Sequence, residues 1–431
     1  MQTDILIIGG GAGGLKLATH LGRHYARREG SEAARRRVML VDRSAIHLWK
    51  PTLHEIAAGT LDAHQEGLAY TLLARRNHFR FVMGEFDGLD LDKRCVRLAP
   101  VLDPDGEALI GTRTISFDHL VLAMGSGTNL FDTEGAAEHT HRLEDAEDAR
   151  AFQKHLSQTF LAAAFSDERR VRTAIVGGGA TGVELAAELI EAHRGFIENL
   201  PREQHFKLDV TLIEMAERLL GPLPEQVAED ATRSLVEQGV EVRTSTRVKR
   251  IDAQGLHTDK GRIETDLVVW AAGMKADPLN ARLGLSVNKL NQIKVDTFLR
   301  TEVPCVWAMG DCAEVPGPDD KPVPARAQAA AQQALWLGRA LPRFIAGERV
   351  PRGFRYRDQG SLVALGDHDG AGALRLSVFG RRLYVEGLVA RFMYMMLHLN
   401  HHRSILGVRR TAVLALARLM HRRVTGRLKL H

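Results

Sequence analysis

Two glycine clusters carry the first chemical signal in this chain. The run Gly9-Gly10-Gly11-Ala12-Gly13-Gly14 follows the apolar stretch Ile5 to Ile8 and opens into a helix-forming segment, Leu15 to Leu21. The pattern recurs as Gly177-Gly178-Gly179-Ala180-Thr181-Gly182, after Thr173-Ala174-Ile175-Val176 and before Val183 to Ile190. In such a turn one glycine permits the tight bend, one lets the backbone approach a pyrophosphate, and one packs helix on strand. The helix N-terminus then offers its amides to negative charge. Each cluster is followed by a second apolar strand ending in an acid: Val38 to Val41 before Asp42, and Val210 to Ile213 before Glu214. A carboxylate there can accept from a ribose hydroxyl, and Glu214 favours NADH over NADPH by repelling a 2′-phosphate, although Arg218 nearby softens that preference. A glycine turn alone is also an ordinary loop device. The ordered series of strand, glycines, helix, strand and acid is what points to a dinucleotide. A simple dehydrogenase needs one such site, whereas a flavin that takes hydride from a nicotinamide needs two.

The elements that must hold these turns read as α/β. Continuous apolar runs are expected of parallel strands covered on both faces. Leu120 to Gly125 and Leu267 to Gly273 form a matching pair of buried strands ending in small residues. The basic stretch Arg23 to Arg37 lengthens the first helix and its connection, setting Asp42 further from Gly14 than the usual spacing of about 20 residues. We expect two Rossmann-like dinucleotide-binding domains: a discontinuous FAD domain at 1–140 and 285–345, and an inserted NADH domain at 141–284. A C-terminal domain would follow at 346–431. Hydrophobic residues make up 45% and charged residues 26% of the 431, an ordinary globular balance. Cys95, Cys305 and Cys312 form no CxxC pair, which argues against a redox disulfide or zinc knuckle and fits a reducing cytoplasmic setting. No signal peptide is expected, because a strand begins almost at once, and no run reaches the roughly 20 apolar residues needed to span a bilayer.

Charge is concentrated at the end of the chain. The net charge is +5, yet the segment from Gly387 onward holds nine Lys or Arg and no Asp or Glu, so the remainder sums to −4. Within Leu388 to His402, Arg391, Tyr394, His398, His401 and His402 share one side at helical spacing, opposite Leu388, Val389, Phe392, Met393, Met395, Met396 and Leu399. This reads as an amphipathic helix whose basic polar face lies among the headgroups of an anionic membrane. The competing reading is a helix that packs its apolar side on the protein core. In Thr411 to Met420 the flanking arginines define no single face and could snorkel. No metal is expected from the three histidines.

At the family level the resemblance is specific. Cys305-Val306-Trp307-Ala308-Met309-Gly310-Asp311 resembles the strand-then-Gly-Asp motif of two-dinucleotide flavoproteins, although a turn aspartate after a strand reads the same way. Within that superfamily the chain resembles the type II NADH dehydrogenases, the single-subunit, non-proton-pumping NADH:quinone oxidoreductases, and is most similar to those of proteobacteria. The residues that carry this are His47-Leu48-Trp49-Lys50-Pro51-Thr52-Leu53-His54-Glu55, Gly177 to Glu188, Ala325-Arg326-Ala327-Gln328-Ala329-Ala330 and Arg427-Leu428-Lys429-Leu430-His431. The resemblance implies non-covalent FAD held by Gly9, Gly11, Ala12, Gly13, Gly14, Asp42, Arg43, Lys50 and Asp311. It implies NADH held by Gly177, Gly179, Ala180, Thr181, Gly182, Glu214 and Gly273. It also implies a quinone met by Pro51, Gln328 and Gln332, with Glu184 and Gln328 as the catalytic pair.

On a helix Gln328 and Gln332 share a face, and neutral amides suit quinone carbonyls, though Ala and Gln are also simply good helix formers. Glu184 reads equally as a first-turn residue favoured by the helix dipole or as a proton-relay group. Gln359 departs from the lysine that many relatives carry. The implied partners are NADH, a membrane quinone with ubiquinone favoured, and an anionic lipid surface. The implied place is peripheral, on the cytoplasmic face of the inner membrane, and a homodimer through the C-terminal region fits. Two rivals stand beside this reading. A soluble NAD(P)H-dependent flavoprotein reductase of a disulfide or small electron carrier shares the fold, although a disulfide reductase would need paired cysteines. A flavin redox sensor with a nucleic-acid-binding tail is the other, but a tail that mixes its charges with long apolar side chains favours lipid, and no nucleic acid is expected.

Overall fold

The computed structural model describes residues 1–103, 105–318, 321–365, 370–375 and 382–424, so the Arg427 to His431 pattern lies outside the described residues. The first part of the chain contributes β1 (Gln2–Ile8), α1 (Gly14–Glu29), β2 (Val38–Asp42), α2 (Leu53–Ala58), β3 (Arg80–Met83), β4 (Phe86–Asp90), β5 (Cys95–Leu98) and β6 (Arg113–Leu122). Then come α3 (Ala146–Phe165), β7 (Arg170–Val176), α4 (Ala180–Ile197), β8 (Lys207–Ile213), β9 (Glu241–Arg243) and β10 (Leu267–Trp270). The chain ends with β11 (Val306–Ala308), α5 (Ala327–Ile345), the strands β12 (Gly360–Ala364), β13 (Gly370–Arg375) and β14 (Arg382–Glu386), and the helices α6 (Gly387–Leu406) and α7 (Val408–Val424).

The first sheet runs β3-β2-β1-β6 in parallel. The long β6 serves two partners along one edge: its start pairs antiparallel with β5, and its last three residues pair parallel with β11. A strand from far down the chain thus completes the sheet that begins at residue 2. Its continuous apolar strands are buried together in one core, with Ile5, Leu6, Ile7, Leu40, Leu120, Val121 and Ala308 among them. The second sheet, β9-β8-β7-β10, is wholly parallel and has its own core with α3 and α4. The basic stretch before β2 lengthens the connection as two helices, divided at Gly30, where φ is +90°.

Two crossings join the sheets, one leaving β6 and one leaving β10. Gly125 and Gly273 bend them at φ +76° and +71°, and Gly127 and Lys275 exchange amide hydrogen bonds of 2.9 and 3.0 Å, running antiparallel. Strands β12, β13 and β14 form a separate antiparallel sheet. Val363 of β12 and Leu365 just after it enter the core of the second sheet.

Helix α6 lies the other way round from the sequence expectation. Its polar side faces the protein: His401 and His402 are 8% and 2% exposed, and Trp49 stacks on His398 at 4.7 Å. The apolar side looks outward, with Val389 58% and Met395 45% exposed, and Met396 and Leu397 beside them. The imidazoles and the Tyr394 phenol find ring and hydrogen-bonding partners on the loop after β2, whereas these aliphatic side chains stay exposed among the described residues. The outward apolar surface continues on α7 through Val408, Val413, Leu416 and Met420, interspersed with exposed Arg409 and Arg410. No helix among the described residues is long and apolar enough to cross a membrane.

Candidate active site

In the first glycine turn the three key positions differ in what surrounds them. A Cβ on Gly9, which sits at φ +98°, would lie 2.4 Å from the Ala123 carbonyl oxygen, and one on Gly14 would lie 1.8 Å from that of Gly9. A Cβ on Gly11 would meet nothing within 4 Å. The outer two glycines therefore close the turn on the protein itself, and the middle one faces open space. Helix α1 has no side-chain cap, so its first amides remain to be satisfied by something in the turn. Asp42 accepts from the amides of Gly10 at 2.6 Å and Ser44 at 2.8 Å, one on each oxygen, which leaves a lone pair on each for a hydroxyl. Burial raises its pKa despite these amides.

The second turn repeats this wiring. Gly177 bends at φ +116° with no room for a Cβ beside Ala272, Gly182 closes on the Gly177 carbonyl at 2.0 Å, and Gly179 is open. Helix α4 again lacks a side-chain cap. Glu214 accepts from Gly178 N at 2.7 Å and from Ala216 N at 2.7 Å, as Asp42 does with Gly10 and Ser44. Arg218 turns away from this acid and donates to the carbonyls of Gly221 and Leu223, so it is not poised over a 2′-phosphate. Gly179, Ala180 and Thr181 are exposed, whereas Gly11 and Ala12 are half-buried. Gly273 is covered by the Phe131 ring, 2.5 Å from where its Cβ would be.

Between the turns, Gly13 packs against Met309 and Ala330, so the start of α5 sits beside the first turn. Asp311 lies in the same place, half-buried, and burial raises its pKa against the pull of the Lys50 charge and a Ser126 hydrogen bond. Gln333, which sequence reasoning missed, is buried and accepts from Gly310 N at 2.7 Å, tying α5 to the loop that carries Asp311. Arg43 points outward and pairs with Asp145.

Gln328 and Gln332 do share a face of α5, and both meet the segment that leads into β12. Gln328 accepts from the Tyr356 hydroxyl at 2.6 Å and donates to Gly360 O at 3.3 Å, while Gln332 brackets Arg357 with bonds of 2.8 and 3.0 Å. Each amide nitrogen keeps one N–H without a partner among the described residues. Pro51 accepts from the Tyr394 hydroxyl at 3.0 Å, which fastens the Trp49-Lys50-Pro51 loop to α6.

Glu184 is buried in α4 beyond the first turn, which has no acidic residue, so it is not the first-turn, dipole-favoured residue that its distance from the glycines suggested. It accepts from Ala364 N at 3.2 Å and stands 3.4 Å from His54 Nδ1 on α2. Burial drives its pKa well above the usual carboxylate range, which favours the protonated acid. No disulfide is present among the described residues, and burial pushes the Cys312 thiol up to about 11, which disfavours thiolate chemistry beside Asp311.

A family model described as pyridine nucleotide-disulphide oxidoreductase matches residues 3–334. The chain is 37% identical to a type II NADH:quinone oxidoreductase of Haemophilus influenzae, over 99% of this chain and 100% of that protein. A protein of the same description from Staphylococcus aureus is 26% identical over 91% of this chain and 93% of its own length. Among solved structures, NDH2 from Plasmodium falciparum in complex with NADH superposes with a TM-score of 0.81 at 17% identity, over 99% of both chains.

Proposed function

The chain belongs to the pyridine nucleotide-disulphide oxidoreductase family, among the type II NADH:quinone oxidoreductases, and on that premise we propose that it oxidises NADH with FAD and reduces a quinone. The observation that carries this reading is the pair of like-wired turns, each closed by its outer glycines and open at the middle one. The vacant Cβ directions at Gly11 and Gly179, the uncapped helices and the half-satisfied carboxylates fit two pyrophosphates and two riboses. Gly9 to Gly14, Asp42, Lys50 and Asp311 would hold FAD. Gly177 to Gly182 and Glu214 would hold NADH.

Bound FAD supplies the acceptor for hydride from the nicotinamide and passes the electron pair on. The protein orients, excludes water and holds protons. Glu184, whose pKa burial raises, is a proton source for quinone reduction, and the spare N–H groups of Gln328 and Gln332 are donors to the quinone carbonyls. The sheet connectivity supports domains at 1–140 with 285–345, at 141–284, and at 346–431. The outward apolar face of α6 and α7, dotted with arginines, suits the surface of an anionic bilayer, the phase that holds the quinone. Ubiquinone as acceptor, a homodimer through α6 and α7, and the cytoplasmic face of the inner membrane complete the proposal.

The test is NADH oxidation by the FAD-loaded protein with a short-chain ubiquinone, run beside NADPH. Rapid quinone-dependent turnover with NADH and little with NADPH is expected. Flavin reduction without reoxidation by quinone would leave the two-nucleotide fold standing and remove the quinone assignment.

A further inference from the structure

The side chain of His54 is almost wholly buried on α2, and its Nε2 has no hydrogen-bond partner among the described residues. A buried polar atom without a partner is rare, and one beside a buried acid calls for a reason. Its other nitrogen, Nδ1, stands 3.4 Å from Glu184 Oε2. That is long for a hydrogen bond, as catalytic contacts commonly are before the substrate is bound. Glu184 Oε1 already accepts from Ala364 N, so the acid proton of Glu184 belongs on Oε2, facing Nδ1. Nδ1 is then the acceptor, and Nε2 carries a hydrogen that no described residue accepts.

The groups around this pair come from every neighbouring element. Glu55 shares α2 with His54, and Glu188 lies one turn along α4 from Glu184. Both are half-buried, and Glu188 accepts from the Thr60 hydroxyl at 2.6 Å. From α6 comes Tyr394, whose phenol donates to Pro51 O, while β12 contributes only the Ala364 amide. Two half-buried carboxylates thus lie near the buried acid, with the imidazole at its Oε2.

We propose that Glu184 and His54 form an acid–imidazole pair that delivers the proton consumed when quinone is reduced, with Glu188 and Glu55 as its outer feed. This rests on the quinone reductase reading above. In the net reaction NADH, quinone and one proton give NAD⁺ and quinol, so one proton per turnover enters from solvent. As Nδ1 takes the Oε2 proton, Nε2 releases its own toward quinone oxygen; a flip of the imidazole ring then restores the starting arrangement, and the outer carboxylates reprotonate Glu184. Burial holds the His54 pKa down to about 3, so the imidazole passes the proton in one concerted motion without becoming a cation.

The experiment uses full-length, FAD-loaded protein and two variants, His54→Asn and His54→Leu. The asparagine amide can hold the Glu184 carboxyl in the Nδ1 position but cannot relay, and leucine can do neither. FAD content and thermal unfolding report whether each variant is folded. The infrared carbonyl band of protonated Glu184, identified by its loss in Glu184→Gln, reports the pairing independently of turnover. The expected result is a fall of about tenfold or more in kcat with short-chain ubiquinone for both variants, toward the about 100-fold scale of general acid loss. The band should move toward that of a carboxyl whose O–H no longer donates, with the Ala364 bond kept, in His54→Leu only. Wild-type kcat in His54→Asn would overturn the relay, and an unmoved band in His54→Leu would overturn the pair itself. A wild-type protein that is reduced by NADH but fails to reduce ubiquinone would sink the parent reading, and the band would still decide whether the pair exists.

Discussion

A single methyl group separates two kinds of glycine in the first turn. Gly14→Ala places a Cβ against the Gly9 carbonyl, where only backbone movement can relieve it, and should cost about 3 kcal/mol or more. Gly11→Ala meets no protein atom, so the FAD-free chain should keep its stability within about 0.5 kcal/mol. Its flavin absorbance per protein should nonetheless fall, because the methyl occupies the space that the pyrophosphate needs. Denaturant unfolding of the apoprotein together with flavin content separates the two.

His47 titrates the same region. It contacts Gly10 O at 3.1 Å and His401 Nε2 at 2.9 Å, and burial first, then the neighbouring His402 charge, pull its pKa from 6.5 to about 4. The unfolded chain binds this proton more readily, so the associated stability is full above pH 6.5 and is lost as pH falls toward 4. The loss amounts to about 3 kcal/mol. His47→Gln should unfold with a shallower pH dependence over that window, by up to one proton, and an unchanged slope would contradict the assignment. The glycines and their acids were legible in sequence because their function is local and their spacing fixed. His47 with His401, Glu184 with His54, and Gln333 with Gly310 were not, since each pair joins distant stretches of chain and leaves no periodic trace.

At the scale of elements, the sheets and the turns between them follow from continuous apolar runs, which admit little else than parallel strands covered on both sides. Helix α6 shows where such reasoning stops. Residue spacing sorts side chains onto two faces, but which face meets the protein depends on partners elsewhere. Here Trp49, Pro51 and His47 satisfy the polar side and leave the aliphatic one outward. Replacing Val413, Leu416 and Met420 of α7 by serine should leave folding nearly unchanged, as these side chains are already exposed. Binding to anionic vesicles should weaken at least about tenfold, because the apolar area that would enter the bilayer is gone. Vesicle sedimentation at matched salt measures this, and undiminished binding would move the contact to another surface.

For the molecule as a whole, two sheets share one local design for their ligands yet are tied into the chain differently. The first is closed by β11, and the loop leaving β11 is pinned by Gln333 to α5, which packs back on Gly13. The second carries its open glycine, Ala180 and Thr181 on the exposed surface. On the reading proposed here, one dinucleotide must stay for the lifetime of the protein while the other must leave after every turnover. Because the two turns are wired alike, the turns themselves cannot set that difference in dwell time. It must come from the walls around them: one ligand is enclosed by segments that can part only by unpicking a sheet, and the other rests on a ledge from which it can simply step off.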